Sequence, residues 1–206
     1  MTILAEGLAR YLSPQERARL AAQRIGIAGL GGIGSNVAIL LARTGVQHFF
    51  LIDYDHVEPS NLNRQNYEPD DVGKKKTVAT YEKIHRLNPE IQAEILCARI
   101  TEKNVDECLG MADLWVEALD GARDKAMLAQ AAVRSGKTIV CASGIAGFGG
   151  PALTQKAIGK IIIVGDGSSD IASAPPLAPR VVWAAAMMAD ALLTHILRPP
   201  LDKHSP

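Results

Sequence analysis

Apolar and polar segments alternate along this chain in a way that predicts strands and helices following one another at nearly every step. The predicted strands are short apolar runs, and they cover residues 25–28, 48–52, 91–100, 113–119, 138–141 and 159–166. The predicted helices cover residues 35–44, 77–87, 101–110, 121–135 and 181–197. This alternation predicts an α/β fold with a doubly wound, mostly parallel sheet that begins like a Rossmann nucleotide-binding fold.

The two terminal segments and the absence of a linker predict the limits of the domain. Ser13, Pro14 and Glu16 form a capping-box pattern, so a helix is expected in the N-terminal segment 1–23. Prolines follow the last predicted helix and leave a polar tail at 198–206. Neither an internal repeat nor an interdomain linker interrupts the segment 24–197. We therefore expect one domain over 1–206.

Composition narrows the class of protein further. The 206 residues suit a single domain, and Lys plus Arg equal Asp plus Glu at 22 each, so general nucleic-acid binding is not expected. The cysteines Cys97, Cys108 and Cys141 form no CxxC pair, which argues against a zinc site and fits a reduced cytoplasmic protein. The charged N-terminus does not resemble a signal peptide, and the apolar run 181–189 is too short to span a bilayer.

A glycine turn carries the first candidate chemistry. The sequence Gly29-Leu-Gly-Gly-Ile-Gly34 follows a predicted strand, and Asp53 ends the next strand 24 residues after Gly29. Glycines at this spacing permit a tight strand-to-helix turn that presents backbone N–H groups to phosphate. A carboxylate at Asp53 suits ribose hydroxyls and repels a 2′-phosphate, which disfavours NADP. The combination indicates an adenosine nucleotide without separating NAD, FAD and ATP, and the glycines alone could merely close a turn.

Amide and basic residues follow the second predicted strand, where ligands of open α/β sheets bind. They are Asn61, Arg64, Gln65 and Lys76. If these side chains converge on the crevice, they supply more positive charge than the diphosphate of NAD requires. The cluster therefore favours a triphosphate such as ATP.

Asp120 ends the strand predicted at 113–119 and is expected at the same crevice. A carboxylate facing a polyphosphate is repulsive unless a cation lies between them, and Mg²⁺ is commonly bound by one carboxylate plus phosphate oxygens. The alternative is that Asp120 caps the following helix. Both roles could coexist.

Four segments together resemble the ThiF/MoeB adenylyltransferases, bacterial relatives of ubiquitin-activating enzymes. The segments are GIAGLGGIGSNVAILLARTGV, IDYDHVEPSNLNRQ, VGKKK and EALDGARDK. The resemblance extends over about residues 24–197 and is greatest to the short ThiF type, which activates a sulfur carrier in thiamine biosynthesis. It implies that 1–206 is an adenylyltransferase domain of a cytoplasmic homodimer.

The resemblance also implies a reaction and its partners. ATP and Mg²⁺ would meet the C-terminal Gly-Gly carboxylate of a small ubiquitin-like sulfur-carrier protein, which would attack the α-phosphate and release pyrophosphate. The alternatives are a tRNA-modifying, ATP-dependent dehydratase of the same family, an NAD-dependent oxidoreductase, or a non-catalytic binding module.

Site residues follow from the same resemblance, position by position. The nucleotide-binding set implied in this way comprises Gly29, Gly31, Gly32, Gly34, Asp53, Asp55, Asn61, Arg64, Gln65 and Lys76. Within it the glycines hold phosphate, Asp53 holds the ribose and Lys76 contacts the α-phosphate. Arg64, Lys76 and Asp120 are the implied catalytic residues, with Asp120 as the magnesium ligand.

Departures from the family pattern limit what is implied. Gly121 stands where the family often has Asn, and residues 155–180 contain no cysteine that could form a thioester. We therefore expect adenylation without a covalent intermediate on this chain. The glycine-rich segment 143–150 and the connection 167–180 are candidates to flank the groove for the substrate tail. Arg10, Arg17 and Arg19 are candidates for an N-terminal arginine that reaches a partner's ATP.

Overall fold

The protein, a computed structural model that describes residues 2–170 and 172–198, is built on a seven-stranded sheet with helices on both faces. The strands are β1 (Arg24–Ala28), β2 (His48–Ile52), β3 (Gln92–Leu96), β4 (Leu114–Glu117), β5 (Thr138–Ala142), β6 (Thr154–Ile158) and β7 (Ile161–Gly165). The helices are α1 (Ile3–Leu8), α2 (Pro14–Ala22), α3 (Gly32–Arg43), α4 (Lys76–Leu87), α5 (Val105–Gly110), α6 (Ala122–Arg134) and α7 (Ala178–Leu197).

The strand order is β3-β2-β1-β4-β5-β7-β6, and every neighbouring pair is parallel except β6 with β7. The chain therefore starts at β1 in the middle of the sheet, winds outward to β3, and returns past β1 to β4. This confirms the predicted doubly wound, mostly parallel fold. The reversal of winding between β1 and β4 leaves a crevice at the carboxyl ends of these strands, where α/β folds bind ligands.

The sheet is buried on both faces, as parallel sheets usually are. Helices α3, α4 and α7 pack on one face around Ile27, Val37 and Leu192, and α5 and α6 pack on the other face around Trp115. Gly26 lies in the middle of β1 directly against the Trp115 ring, because a Cβ built at Gly26 would approach that ring to 2.7 Å. The close contact between β1 and β4 thus depends on the missing side chain of Gly26.

Two parts of the fold contain an element that the sequence did not predict. The N-terminal segment contains two helices, and the predicted capping box of Ser13 and Glu16 begins the second of them. Strand β6 was not predicted, and it forms the antiparallel edge of the sheet with all five residues exposed. The other edge is β3. Each edge strand carries a charged residue at its centre, Glu94 in β3 and Lys156 in β6.

Helix α7 is the most apolar of the helices. It is long and apolar enough to cross a membrane by length and composition, although half of that apolar stretch is buried inside the protein. The buried side includes Val181, Ala185 and Met188, which belong to the core shared with α3. The predicted polar tail from residue 199 onward lies outside the described residues.

Candidate functional site

The candidate site is a cleft of about 230 Å³ at the carboxyl ends of β1, β2 and β4. Its lining residues are Gly29, Gly31, Ile52, Asp53, Tyr54, Asp55, Lys76, Ala98, Arg99, Ile100, Ala118, Leu119, Asp120, Gly121 and Asp124. Helices α3, α4 and α6 all begin here, and none of the three has a side-chain cap at its N-terminus. The first N–H groups of α3 and α6 are therefore available to an anion, and the helix dipoles favour one. In α4 the N–H of Lys76 donates to the Asp55 carbonyl at 3.0 Å.

The glycine turn brings β1 close to β4 and α3. Gly29 has φ +87°, and a Cβ there would collide with the carbonyl oxygen of Ala118. Gly34 lies behind the turn, where its Cα faces the carbonyl oxygen of Gly29. Gly31 caps α3 and lines the cleft, whereas Gly32 lines a second cavity next to it. Gly29 and Gly34 thus hold the backbone geometry, and Gly31 faces the cleft. At Gly32 a Cβ would approach the Val181 side chain to 2.8 Å.

Asp53 links the glycine turn to the loop after β2. Its buried carboxylate accepts hydrogen bonds from the N–H groups of Leu30 at 2.6 Å and Asp55 at 2.7 Å. Burial raises the pKa of Asp53 above its usual value, although these two hydrogen bonds and nearby Lys76 favour the charged form. The carboxylate is consequently fixed in position, and each oxygen keeps a lone pair for a ligand hydroxyl.

Tyr67 supports the same turn and was missed by sequence reasoning. Its hydroxyl donates to the carbonyl oxygen of Leu30 at 2.8 Å and shares a 3.0 Å hydrogen bond with Thr80 on α4. Burial raises the pKa of Tyr67 well above its ordinary value, so the phenol stays protonated. A tyrosine in a loop gives no sequence signal for such a contact.

Lys76 is the first residue of α4 and lies in the cleft as expected. Its ammonium donates to Asp55 Oδ2 at 3.0 Å, and its side chain is only 7% exposed. The ion pair connects two predicted nucleotide-binding residues. It holds the lysine over the cleft before any ligand arrives.

Asp120 follows β4 and lines the cleft with an exposed carboxylate. Within residues 2–170 and 172–198 it makes neither a hydrogen bond nor an ion pair. The N-cap of α6 is Gly121, which has no side-chain cap bond, so the alternative that Asp120 caps this helix is wrong. A free carboxylate at the crevice fits the donor chemistry of a Mg²⁺ site completed by phosphate and water oxygens.

The other predicted polar residues do not converge on the cleft. Half-buried Arg64 lines the second cavity, and its guanidinium donates to the Ser60 carbonyl at 3.1 Å and to Asn63 Oδ1 at 2.8 Å. The buried amide oxygen of Asn61 instead accepts from the N–H of Glu58 in a 3₁₀ turn. Gln65 is buried beside Gly31, and its Oε1 has no partner in the described part of the chain.

The second cavity, of about 420 Å³, shares the wall formed by Ala118, Leu119 and Asp120 with the cleft. Residues 143–146 from one predicted flanking loop, and 169, 170 and 176 from the other, line it. Lys125 also lines it, and its ammonium is 3.0 Å from buried Glu117. Neither residue of this pair was given a role from the sequence, although both lie in the quoted segment EALDGARDK.

The charge of the cleft differs from the expectation of a positively charged crevice. Four aspartates line it against two cations, Lys76 and Arg99. Both cations are paired, Lys76 with Asp55 and Arg99 with Asp124. The expected basic cluster fails because Arg64 points into the second cavity and Asn61 into its own turn. A polyphosphate in this cleft therefore needs an additional cation.

Cys141 lies next to the site but is chemically shielded. It is buried in β5, and burial raises its pKa to about 12. Thiolates are the reactive form of cysteine, so this thiol is a poor nucleophile at neutral pH.

In the described ranges 2–170 and 172–198, no cluster of three or more His, Cys, Asp or Glu side chains could hold a metal ion.

Fold and site together define a Rossmann-type α/β protein with a cleft at its topological switch point. The sequence model described as "ThiF family" matches residues 5–166, and this chain belongs to that family. The family expected from the four motif segments is thereby confirmed.

Individual relatives carry the names of different functions, and two of them illustrate the range. The "Sulfur carrier protein adenylyltransferase" of Thermus thermophilus is 34% identical over 130 residues, 63% of this chain and 48% of that protein. The "tRNA threonylcarbamoyladenosine dehydratase" of Haemophilus influenzae is 32% identical over 151 residues, 72% of this chain and 58% of that protein. The chain thus spans about half the length of these curated relatives.

Solved structures agree on the fold. The Escherichia coli tRNA N6-threonylcarbamoyladenosine dehydratase in complex with ATP superposes with a TM-score of 0.79 at 25% identity and covers 94% of this chain and 95% of its own. The same enzyme in complex with AMP gives a TM-score of 0.83 at 24% identity. Substrate, magnesium, homodimer and cytoplasmic location stay predictions.

Proposed function

We propose that this chain catalyses the ATP-dependent adenylation of a carboxylate, with the nucleotide in the cleft and the carboxylate in the second cavity. The observation that carries the proposal is the shared wall: the two cavities meet at Asp120, beside the uncapped N-terminus of α3. Two reactants bound on either side of this wall would have their reacting atoms next to each other. Holding reactants in this way is a large part of catalysis for group transfer.

The residues of the cleft fit the successive parts of ATP. Asp53 would accept the ribose hydroxyls, and the free N–H groups after Gly31 would bind phosphate oxygens. Lys76 is held over the cleft by Asp55. When ATP binds, its ammonium would form an ion pair with the α-phosphate instead. Arg64, at the second cavity, would exchange its hydrogen bonds with Ser60 and Asn63 for the outer phosphates.

Mg²⁺ fits this arrangement through Asp120. The cation would neutralise charge between that carboxylate and the phosphates, and the acidic cleft makes this neutralisation necessary. An oxygen of the substrate carboxylate would then form a bond to the α-phosphorus as the bond to the bridging oxygen of the β-phosphate breaks. Pyrophosphate leaves, and the acyl group is joined to AMP. A carboxylate is already ionised at neutral pH, so the step removes no proton.

The first candidate substrate is the C-terminal Gly-Gly carboxylate of a small ubiquitin-like sulfur carrier. Small residues line the second cavity, including Ala142, Gly144 and Ala146, so an extended backbone without side chains can approach the wall at Asp120. Relatives named as sulfur-carrier adenylyltransferases support this choice. The inert Cys141 fits release of the adenylate to a separate sulfur donor.

A carboxylate on a modified tRNA nucleoside is the second candidate. The relative that aligns over 72% of this chain is named as a tRNA threonylcarbamoyladenosine dehydratase. The balanced charge of this chain offers little general attraction to tRNA. The two candidates share the adenylation step and differ only in the carboxylate.

ATP–pyrophosphate exchange tests the proposal. Exchange should require Mg²⁺ and one carboxylate substrate, supplied either as a Gly-Gly carrier or as tRNA bearing threonylcarbamoyladenosine. Lys76→Ala and Asp120→Asn should each lower exchange at least 100-fold, about the effect of one lost transition-state contact.

Two matched controls lie close to these residues. Lys74→Ala removes a lysine two positions from Lys76 that pairs with Asp71 and Glu82 outside the cleft. Asp113→Asn removes a carboxylate that pairs with Arg24 before the start of β4, whereas Asp120 follows its end. Both controls should exchange at the wild-type rate. Wild-type exchange in Lys76→Ala or Asp120→Asn would contradict the assigned site.

A further inference from the structure

The cleft extends past Asp53 into a part that none of the motifs explains. Residues 98–100 follow β3, which lies on the far side of β2 from the glycine turn after β1. A nucleotide with phosphates at β1 and ribose at β2 would therefore place its base toward β3. The lining on that side includes the aliphatic side chains of Ile52, Ala98 and Ile100. Such a slot suits a flat heterocycle better than a phosphate.

Two larger side chains stand at the open side of this slot. The Arg99 guanidinium carbon lies 5.8 Å from the centroid of the Tyr54 ring, in the range of a cation–π contact. Tyr54 is 56% exposed, which is high for an aromatic side chain next to an apolar slot. An exposed aromatic ring and a planar cation are the side chains on which bases stack.

Asp124 fixes the orientation of the arginine. Arg99 Nη2 lies 2.6 Å from Asp124 Oδ2, and the pair joins the segment after β3 to the first turn of α6 across the cleft. The Arg99 side chain is 61% exposed, and ion pairs this exposed contribute little to stability. The contact therefore matters mainly because it holds the Arg99 side chain at the lining of the cleft.

We infer that Arg99 is a positioning residue that stacks on the base of the bound nucleotide, with Asp124 holding the guanidinium and Tyr54 completing the clamp. The clamp recognises the base as a flat purine-sized ring. It rests on the proposed position of the nucleotide in the cleft. It does not depend on which carboxylate is adenylated.

AMP and ribose 5-phosphate differ only in the base, so comparing their affinities isolates the contacts made to the base. Isothermal titration calorimetry measures both affinities, with a displacement titration for the weaker ligand. Arg99→Ala should weaken AMP about tenfold, the size of one cation–π or stacking contact, and leave ribose 5-phosphate unchanged. Arg99→Lys keeps the charge and its pairing with Asp124 but lacks the planar group, so it should lose most of the same affinity. Asp124→Asn should weaken AMP two- to threefold, about the effect of a loosened guanidinium.

Arg123→Ala is the matched control. Arg123 pairs with Glu102 at 3.2 Å and joins the same two segments, but its side chain is 88% exposed and lies outside the cleft lining. It should bind both ligands as the wild type does. An equal loss of AMP and ribose 5-phosphate in Arg99→Ala, or no loss of either, would overturn the clamp. Failure of the wild type to bind AMP at all would instead overturn the nucleotide site itself.

Discussion

Asp53 shows how one side chain can serve both the fold and the ligand. Its two oxygens accept from two backbone N–H groups that belong to different loops, those of Leu30 and Asp55. Holding both loops is a structural task that remains when no nucleotide is bound. A change at this residue should therefore affect stability and binding together.

We expect Asp53→Asn to lower the free energy of unfolding by about 1–3 kcal/mol, because an amide has only one acceptor oxygen and leaves one buried N–H group unpaired. The apparent KM for ATP should also rise about tenfold, since the ribose loses a charged acceptor. Urea denaturation and ATP–pyrophosphate exchange measure the two effects. Asp70→Asn, at an exposed aspartate in a nearby turn, should change neither. Unchanged stability in Asp53→Asn would contradict the role of both hydrogen bonds.

A second buried carboxylate links the loops around the second cavity. Asp166 accepts from the N–H groups of Ser168 and Ser169 at 2.7 Å and forms an ion pair with Arg180, which in turn donates to the Pro151 carbonyl at 2.8 Å. Burial alone would raise the pKa of Asp166, but these hydrogen bonds outweigh it and hold the pKa well below 3.8.

Asp166→Asn should cost about 3 kcal/mol of unfolding free energy at pH 7, because it leaves the buried Arg180 charge uncompensated. The native pKa lies below the unfolded one, so the contribution is fully present above about pH 4 and is lost as the pH falls further. The difference between the unfolding free energies of wild type and variant should stay constant from pH 7 to pH 5 and shrink below pH 4. If this free-energy difference instead became larger below pH 4, the result would contradict the ion pair.

At the scale of whole elements, the sheet centre depends on the contact between β1 and β4. Gly26→Ala should destabilise the protein by about 1–3 kcal/mol, because the added methyl group would overlap the Trp115 ring. Trp115→Leu should be destabilising as well, since it leaves a cavity. The double variant should be less destabilised than the sum of the two by about 1 kcal/mol, as measured by denaturant unfolding. Strict additivity would show that the ring and the glycine do not compete for the same space.

The sequence predicted elements well where burial leaves a pattern and poorly where it does not. Strands β1, β2, β4 and β5 are apolar runs between turn residues, and they were found within a few positions of their ends. Strand β6 is exposed along its whole length, so no hydrophobic pattern marked it. Helix α3 begins inside the glycine turn at Gly32, three residues before the predicted start, because the turn itself provides the first N–H groups.

The same limit applies to the site. Motif spacing placed Gly31, Asp53, Lys76 and Asp120 at one cleft, since each follows or begins an element at the same edge of the sheet. Contacts through space, such as Tyr67 with Leu30 or Arg99 with Asp124, leave no trace in spacing. The direction of Asn61 also depends on the local turn, which a residue type alone does not define.

For the molecule as a whole, a ligand that binds only the folded state raises its stability. At 100 times its Kd, Mg²⁺-ATP should add about 2.7 kcal/mol and raise Tm by about 5–10 °C in a chain of this size. ATP with excess EDTA should give a much smaller shift, because Asp120 then repels the phosphates, and NAD should give none. Differential scanning fluorimetry measures all three. A larger shift with NAD than with Mg²⁺-ATP would favour an oxidoreductase.

The two open borders of the sheet also influence how the protein behaves at high concentration. A bare strand border offers unpaired N–H and C=O groups that another molecule can extend into a longer ribbon. Glu94 in the middle of β3 and Lys156 in the middle of β6 would have to give up hydration as a neighbouring strand docked beside them. These two charges therefore oppose aggregation through strand addition.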